Sequence, residues 1–213
     1  MSEMSPVAPE CDTRAKANAI LDAAQRLFAA FGYRRTAMDD IARAAGVAKG
    51  TLYFYFDGKE AVFRAMHART LADLSRLCDE AENAELPFPE KLYQLLDRQC
   101  GAVQERYARS EHLMELDATR TTVGADLARD ADAAYAARLV RVFQGAALRG
   151  EIDIVGAGLS AESLVSTLLA ATRGAKHGPE GPMELSAYRE RLRQITAVAA
   201  AAVRPVSATS RPT

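Results

Sequence analysis

The residues from 36 to 59 constrain the fold more than any other part of the sequence, because two short helical segments flank a glycine there. The first segment places small and apolar residues on one helix face, namely Met38, Ile41, Ala42 and Ala45. Thr36 is predicted to begin and cap this helix, with the Asp39 carboxylate three residues on favouring its N-terminus. Gly46 then favours a sharp turn before a second helix over residues 49–56. This order of elements is typical of a helix-turn-helix.

The second helix of this pair carries four aromatic residues in a row, Tyr53, Phe54, Tyr55 and Phe56. Since an α-helix turns ~100° per residue, the four rings fan around the axis and cannot all be buried. Leu52 and Phe56 define a core face, and Phe54 then points away from it, together with Gly50 and Thr51. An exposed phenylalanine ring that enters a DNA major groove can contact a thymine methyl group. The alternative is that this helix packs against another domain or subunit.

Polar groups around this outer face predict contacts to a phosphate backbone. The hydroxyls of Thr51, Tyr53 and Tyr55 can donate to phosphate oxygens, and Gly50 allows a close approach to the duplex. Lys59 lies in the first turn of the next predicted helix, where both its charge and the free backbone N–H groups would hold a phosphate. The alternative for Lys59 is an ordinary solvated surface lysine.

Short motifs in the first third of the chain match one family as a set: Phe31-Gly32-Tyr33, Thr36, Asp40-Ile41-Ala42, Ala45-Gly46-Val47, Lys49-Gly50-Thr51-Leu52-Tyr53, Phe56 and Lys59-Glu60. Over residues 14–74 the chain therefore resembles the TetR (TetR/AcrR) family of bacterial transcriptional regulators. The resemblance implies a homodimer that binds a palindromic operator, represses transcription and is released by a small-molecule effector. It implies DNA contacts for Lys49, Gly50, Thr51, Tyr53, Tyr55 and Lys59, and Thr36 and Phe54 complete the predicted DNA-binding set.

Two residues depart from the pattern of this family. Ala48 stands where members often have a capping serine, and a missing side-chain cap costs about 1 kcal/mol of helix stability. Asp39 stands where some members place a cation that reads bases. A base contact from the first helix of the pair is therefore not expected.

The whole chain is predicted to be all-α, with nine helices, because alanine is abundant and 3.6-type periodicity recurs without β-type alternation. The resemblance implies that these helices form two domains. The predicted DNA-binding domain covers residues 13–60, with its helix-turn-helix at about 37–56. The predicted ligand-binding and dimerisation domain covers residues 61–204. Residues 1–12 and 205–213 contain prolines and are predicted to be disordered.

The last two predicted helices suggest a dimer interface. In the ninth helix the apolar residues follow a heptad spacing, at Leu185, Tyr188, Leu192, Ile195 and Ala199. The eighth helix offers Leu164 and Leu168 to match them. Two such helices from each subunit would form a four-helix interface, as the resemblance implies. The alternative is that both stripes face the core of their own domain.

The predicted inward faces of helices in the second domain supply candidates for an effector pocket: Leu95, Cys100, Met114, Tyr135, Leu139 and Phe143. Each could equally be plain core, and Tyr135 is favoured because a buried phenol needs a hydrogen-bond partner. His112 and Glu115 share a helix face and could bind a metal, although no third ligand is evident. Cys78 and Cys100 could sense oxidants or be inert buried thiols.

Composition narrows the classes of function. The formal net charge is -1, but residues 12–70 hold ten Lys and Arg against six Asp and Glu, so this part is expected to face a polyanion. No apolar run approaches the ~20 residues of a membrane span, and three scattered cysteines without a secretory signal fit the cytoplasm. No catalytic pair, phosphate-binding loop or metal spacing stands out, so neither an enzyme nor a cofactor is predicted. The alternative function is that of a DNA-binding protein of similar build without an effector, either nucleoid-associated or activating.

Overall fold

The computed structural model describes residues 9–102, 105, 111–178 and 181–205. Within these residues the chain forms nine α-helices in the following order: α1 Pro9–Phe31, α2 Met38–Ala45, α3 Lys49–Tyr55, α4 Lys59–Asn83, α5 Phe88–Leu96, α6 Leu113–Thr122, α7 Ala125–Leu148, α8 Ala161–Gly174 and α9 Leu185–Ala202. A π-helical turn, Asp97–Gly101, follows α5 directly. Two strands of two residues each, β1 His177–Gly178 and β2 Gly181–Pro182, pair antiparallel between α8 and α9. The predicted all-α class is confirmed.

The helix boundaries differ from the predictions mainly at the N-terminus. Helix α1 begins at Pro9, so residues 9–12, which were expected to belong to a disordered segment, are helical. The rest of that predicted segment, residues 1–8, and the predicted tail from 206 lie outside the described residues. No helix in the described part of the chain is long and apolar enough to cross a bilayer.

The chain divides into two compact units. The first unit comprises the residues up to Leu71 together with residues 109–128, and the second comprises residues 72–108 and those from Arg129 onward. The first unit therefore extends beyond the predicted boundary at residue 60 and also includes α6. Helices α4 and α7 contribute residues to both units.

The core of the first unit is built from apolar residues of its first four helices. The buried side chains include Ile20, Ala24, Phe28, Ile41, Leu52, Val62 and Met66. Three rings cluster among them, since the ring centroids of Phe28 and Phe63 lie 5.9 Å apart and that of Tyr33 lies 5.4 Å from Phe28 and 5.2 Å from Phe63. Phe31, the last residue of α1, remains 48% exposed.

The core of the second unit gathers the inward stripes of α5, α7, α8 and α9. Its fully buried side chains include Leu92, Leu95, Leu139, Phe143, Tyr188 and Leu192. Phe88 and Phe143 meet edge to face at 5.0 Å. The Tyr188 hydroxyl donates to the Thr172 carbonyl at 3.3 Å and so ties α9 to α8.

The packing of this core bears on the predicted dimer interface of α8 and α9. Leu168, Tyr188 and Leu192 are buried within the single chain, and Leu164, Ile195 and Ala199 pack partly against the same core. Leu185 is half-buried as well. Their heptad spacing therefore reflects packing inside the second unit, and the prediction that these residues form the dimer interface is wrong for the buried ones.

Candidate nucleic-acid interface

The turn between α2 and α3 positions the candidate interface. Helix α2 ends at Ala45 and is followed by Gly46, whose φ of 67° lies in the left-handed region that favours glycine. The Val47 N–H then donates to the Ala42 carbonyl at 3.0 Å and closes the turn. Helix α3 begins after Ala48, which supplies no side-chain cap, as predicted from the missing serine. The short helix therefore depends on packing against its neighbours rather than on a cap.

The two faces of α3 differ sharply in exposure. Leu52 has no exposed surface, whereas Phe54 is 81% exposed and Tyr53 is 43% exposed. Gly50 is also exposed, and Thr51 is half-buried. The opposition of Leu52 and Phe54 follows the prediction from the helical turn, so α3 presents an aromatic and polar surface to solvent.

Tyr55 and Phe56 close the C-terminal end of this surface. Both are half-buried, and Phe56 lies just beyond the helix in extended backbone. The Tyr55 ring packs edge to face against Phe54 at 5.4 Å. Phe56 is thus only half-buried, although it was predicted to lie on the core face of the helix. Tyr55 gives the exposed Phe54 ring one packing contact.

Thr36 does not take the role that the sequence predicted for it. Its side chain is buried, and its hydroxyl donates to the Gly32 carbonyl at 2.7 Å. Helix α2 is capped one residue later, at Ala37, whose N–H donates to the Asp40 carboxylate at 3.2 Å. The structure therefore removes the Thr36 side chain both from the cap of α2 and from the predicted DNA contacts.

The Lys59 ammonium forms hydrogen bonds within the protein. Its Nζ donates to the carbonyls of Tyr33 at 2.8 Å, Arg34 at 3.1 Å and Thr36 at 3.0 Å. The same ammonium lies 4.6 Å from the centroid of the Tyr33 ring. An ammonium has three N–H donors, and all three are directed at the loop between α1 and α2. Lys59 thus holds this loop, and the predicted capture of a phosphate by its charge is not supported by its geometry.

Lys49 lies at the start of α3 and forms an ion pair with Asp39 of α2. Its Nζ is 2.9 Å from Oδ1 of Asp39 and donates to Oδ2 at 3.1 Å. The hydrogen bond to Asp39 raises the pKa of Lys49. Both side chains are more than half exposed. A cation in the first turn of a helix is disfavoured by the helix dipole, and the Asp39 carboxylate compensates for it.

Glu115 of α6 binds the loop that Lys59 holds. Its Oε1 accepts a hydrogen bond from the Arg34 N–H at 2.7 Å, and its Oε2 would contact any Cβ placed on Gly32. His112 Nδ1 lies 3.8 Å from Oε2 of Glu115. Glu115 therefore serves the backbone rather than a metal, and the described residues hold no cluster of three potential metal ligands. No local sequence signal could reveal this contact, because the two residues lie 81 positions apart.

His67 of α4 is a second residue that the sequence did not single out. It is buried in the first unit, and its Nε2 has no hydrogen-bond partner among the residues that the structure describes. Burial, with the nearby cations of Arg120 and Arg64, lowers the pKa of His67 to about 4. Arg64 in turn pairs with Asp126 at 2.6 Å and lowers the pKa of that carboxyl. His67 is therefore neutral near pH 7.

The candidates for an effector pocket divide into core and surface. Leu95, Leu139 and Phe143 have no exposed surface, and the Tyr135 hydroxyl donates to the Leu95 carbonyl at 3.0 Å. Met114 is 68% exposed and belongs to the first unit, so the structure removes it from the inward set.

The two thiols of the second unit lie in apolar surroundings. Burial raises the pKa of Cys78 to about 11 and also raises that of Cys100. Thiols of this kind are poor nucleophiles, because the thiolate is the reactive form. The structure favours inert thiols over the oxidant sensors that the sequence left open.

Comparison with known proteins points to one family. Residues 20–66 match the family model described as bacterial regulatory proteins, tetR family. The chain is 40% identical over 77 residues to YhgD of Bacillus subtilis (strain 168), an HTH-type transcriptional regulator, which covers 36% of this chain and 40% of that protein. It is 31% identical over 90 residues to IcaR of Staphylococcus aureus (strain Newman), the HTH-type negative transcriptional regulator of the biofilm operon icaADBC, which covers 42% of this chain and 48% of that protein. The chain thus spans less than half the length of either relative.

The fold extends the similarity beyond the matched segment. A TetR transcription regulator from Haloarcula marismortui ATCC 43049 superposes with a TM-score of 0.69 at 22% identity, over 90% of this chain and 100% of that chain. At this identity the likeness concerns the fold alone. Because the superposition covers 90% of this chain, the similar fold extends over both units.

The triple hydrogen bonding of Lys59 predicts a structural role. Lys59→Met should lower the free energy of unfolding by about 1–3 kcal/mol, because three carbonyls lose their charged donor. Lys49→Met is the matched control and should leave the free energy of unfolding nearly unchanged, since exposed ion pairs contribute little. Urea unfolding followed by circular dichroism measures both, and equal effects of the two substitutions would contradict the assignment.

Proposed function

By its N-terminal domain the chain belongs to the TetR family of bacterial regulatory proteins, and from this premise we propose that it is a transcriptional repressor that binds operator DNA through α3. The observation that carries the proposal is the exposure of Phe54, which is 81% exposed opposite the fully buried Leu52. An apolar ring so exposed on a helix of seven residues contributes little to the packing of the chain beyond its contact with Tyr55. A major groove supplies the missing partner.

The dimensions and chemistry of α3 suit a DNA major groove. The groove is about 12 Å wide and admits an α-helix, whose N-terminal residues reach the base edges. Lys49, Gly50 and Thr51 occupy this N-terminal end, and a Cβ on Gly50 would meet no atom within 4 Å, so the approach is open. Phe54 can then contact a thymine methyl, and the exposed Tyr53 can donate to a phosphate.

The segment of the chain that contains α2 and α3 also carries charges that favour a polyanion. Residues 12–70 hold ten basic against six acidic residues. Contacts to phosphates release counterions, so we expect the affinity for DNA to fall steeply as salt rises. Because Thr36 and Lys59 are engaged inside the protein, the proposed DNA contacts are reduced to Lys49, Gly50, Thr51, Tyr53, Phe54 and Tyr55.

We propose repression, rather than activation, from the similarity of the chain to IcaR. IcaR, by its name, is a negative transcriptional regulator, and it shares 31% identity with this chain over 90 residues. A protein bound to an operator represses when it occupies a site that transcription needs. We place this activity in the cytoplasm, where the DNA of a bacterium lies.

The proposed homodimer uses the exposed sides of α8 and α9 instead of their buried heptad residues. On α8 these sides carry small exposed residues: Ser163, Ser166, Thr167, Ala170 and Ala171. On α9 they carry Ala187, Gln194, Ala197, Val198 and Ala201. Val198 is 71% exposed, although it is apolar. Helices whose facing side chains are small can approach closely, and two such pairs related by a two-fold axis would present two α3 helices to a palindrome.

A small-molecule effector completes the proposal, and it is supported by the family resemblance. Effector and DNA would favour different conformations of the dimer, so that each weakens the binding of the other by the same factor. Helix α4 contributes residues to both units and is the element we propose to carry this coupling. Since Leu95, Leu139 and Phe143 are fully packed, an effector would have to open the core around them. An effector-free regulator would hold its operator whatever compound is added.

The exposed face of α3 gives a direct test of DNA binding. Thr51→Ala and Phe54→Ala should each weaken binding to the DNA upstream of the protein's own gene by about tenfold or more, because a base or phosphate contact is lost. Val155→Ala is the control, since Val155 is 87% exposed and lies in the second unit. Fluorescence anisotropy with labelled duplex measures the three affinities at one salt concentration. Wild-type affinity of both α3 variants would refute the assignment.

The outward side of α8 gives a separate test of the dimer. Ala170→Glu should convert the dimer to monomer, because a carboxylate would be buried against the partner helix. Ala137→Glu on the exposed side of α7 is the matched control and should leave the dimer intact. Sedimentation velocity at one protein concentration distinguishes the two states. A dimeric Ala170→Glu variant, or a monomeric wild type, would contradict the proposed interface.

A further inference from the structure

The ion pair between Asp39 and Lys49 lies at the N-terminal end of α3. We propose that these two side chains together read one G·C base pair in each operator half-site, with Lys49 donating to guanine and Asp39 accepting from cytosine. This inference rests on the proposed binding of α3 in a major groove. It assigns a reading role to α2, from which the sequence predicted no base contact.

Asp39 is free for such a role because another residue caps α2. The Ala37 N–H donates to Asp40 at 3.2 Å, so the helix N-terminus does not depend on Asp39. Both oxygens of Asp39 are directed instead at Lys49, at 2.9 Å and 3.1 Å from its Nζ. An isolated carboxylate beside a phosphate backbone would be repelled. Paired with Lys49, it becomes an acceptor next to a donor, with no net charge.

The spacing of this donor and acceptor matches the edge of a base pair. In a G·C pair the cytosine N4–H donates to the guanine O6, at the ordinary N–H···O distance of about 2.9 Å. The Nζ of Lys49 and Oδ1 of Asp39 are also 2.9 Å apart. Placed edge to edge, the ammonium therefore faces O6 while the carboxylate faces the second N4 hydrogen, and both contacts can form at once.

The groups beside O6 favour G·C over A·T. An A·T pair also places an acceptor, thymine O4, beside a donor, adenine N6. On the side where Lys49 would lie, however, thymine carries its methyl group, whereas guanine carries the acceptor N7. A lysine ammonium can donate to N7 and O6 together but gains nothing from a methyl group. The same pair of side chains therefore discriminates between the two base pairs.

The position and exposure of the pair allow this contact. Lys49 is the first residue of α3, and its side chain is 62% exposed, while that of Asp39 is 55% exposed. The residues on either side of Lys49, Ala48 and Gly50, are small and exposed. The base edge can thus reach the ion pair without displacing a larger side chain.

Selection from randomised duplexes, followed by sequencing, tests the inference with the full-length chain. The wild type should select half-sites with one fixed G·C pair that both Asp39→Ala and Lys49→Ala relax. Changing this pair to A·T should weaken wild-type binding about tenfold or more and weaken binding by each variant much less. Replacing its guanine by 7-deazaguanine removes N7 and should weaken the wild type but not Lys49→Ala. If Lys49→Ala binds too weakly to select DNA, Asp39→Ala decides the test.

Arg43→Ala is the matched control from the same helix. Arg43 also forms an exposed ion pair, with Asp40 at 3.4 Å, so its loss should leave the base preference unchanged and lower affinity equally for both duplexes. If the variants at positions 39 and 49 keep the same G·C preference as the wild type, the inference is overturned while the DNA-binding function stands. If the wild type selects no sequence at all, the proposed function itself falls.

Discussion

The burial of Leu52 is the interaction on which the arrangement of the interface depends. Helix α3 has seven residues, too few to be stable as an isolated helix, and Leu52 is its one buried side chain. With Leu52 fixed in the core, the 3.6-residue turn of the helix directs Phe54 to solvent. The left-handed Gly46 sets the angle at which α3 leaves α2. One anchored leucine and one glycine therefore determine which residues of α3 face solvent.

The loop before α2 is held by charged side chains as well as by the packing of the Tyr33 ring on Phe28 and Phe63. Lys59 donates to three of its carbonyls, and Glu115 accepts from the Arg34 N–H. Both contacts are made to backbone atoms of the loop. Thr36 turns inward to the Gly32 carbonyl and completes the closure. A loop fixed in this way keeps α2, and with it Asp39, in register with Lys49 of α3.

The sequence predicts well what local periodicity determines. The helices, the glycine turn and the opposition of Leu52 and Phe54 all follow from helical geometry, and the structure has them. The cap of α2 was predicted one residue early, because a buried acceptor outcompetes the helix end for the Thr36 hydroxyl. The heptad spacing of α9 could not reveal whether Tyr188 faces a partner or its own core, since both give the same period. Contacts such as that of Glu115 depend on tertiary structure and leave no local signal.

Site-specific photo-crosslinking at position 54 measures the central claim most directly. A benzophenone side chain in place of Phe54 would lie on the open face of α3, and the same group in place of Leu148, which is 90% exposed in the second unit, is the reference. With operator DNA bound, position 54 should form a covalent adduct with the duplex and position 148 should not. DNA bound to the protein without any adduct at position 54 would contradict the account.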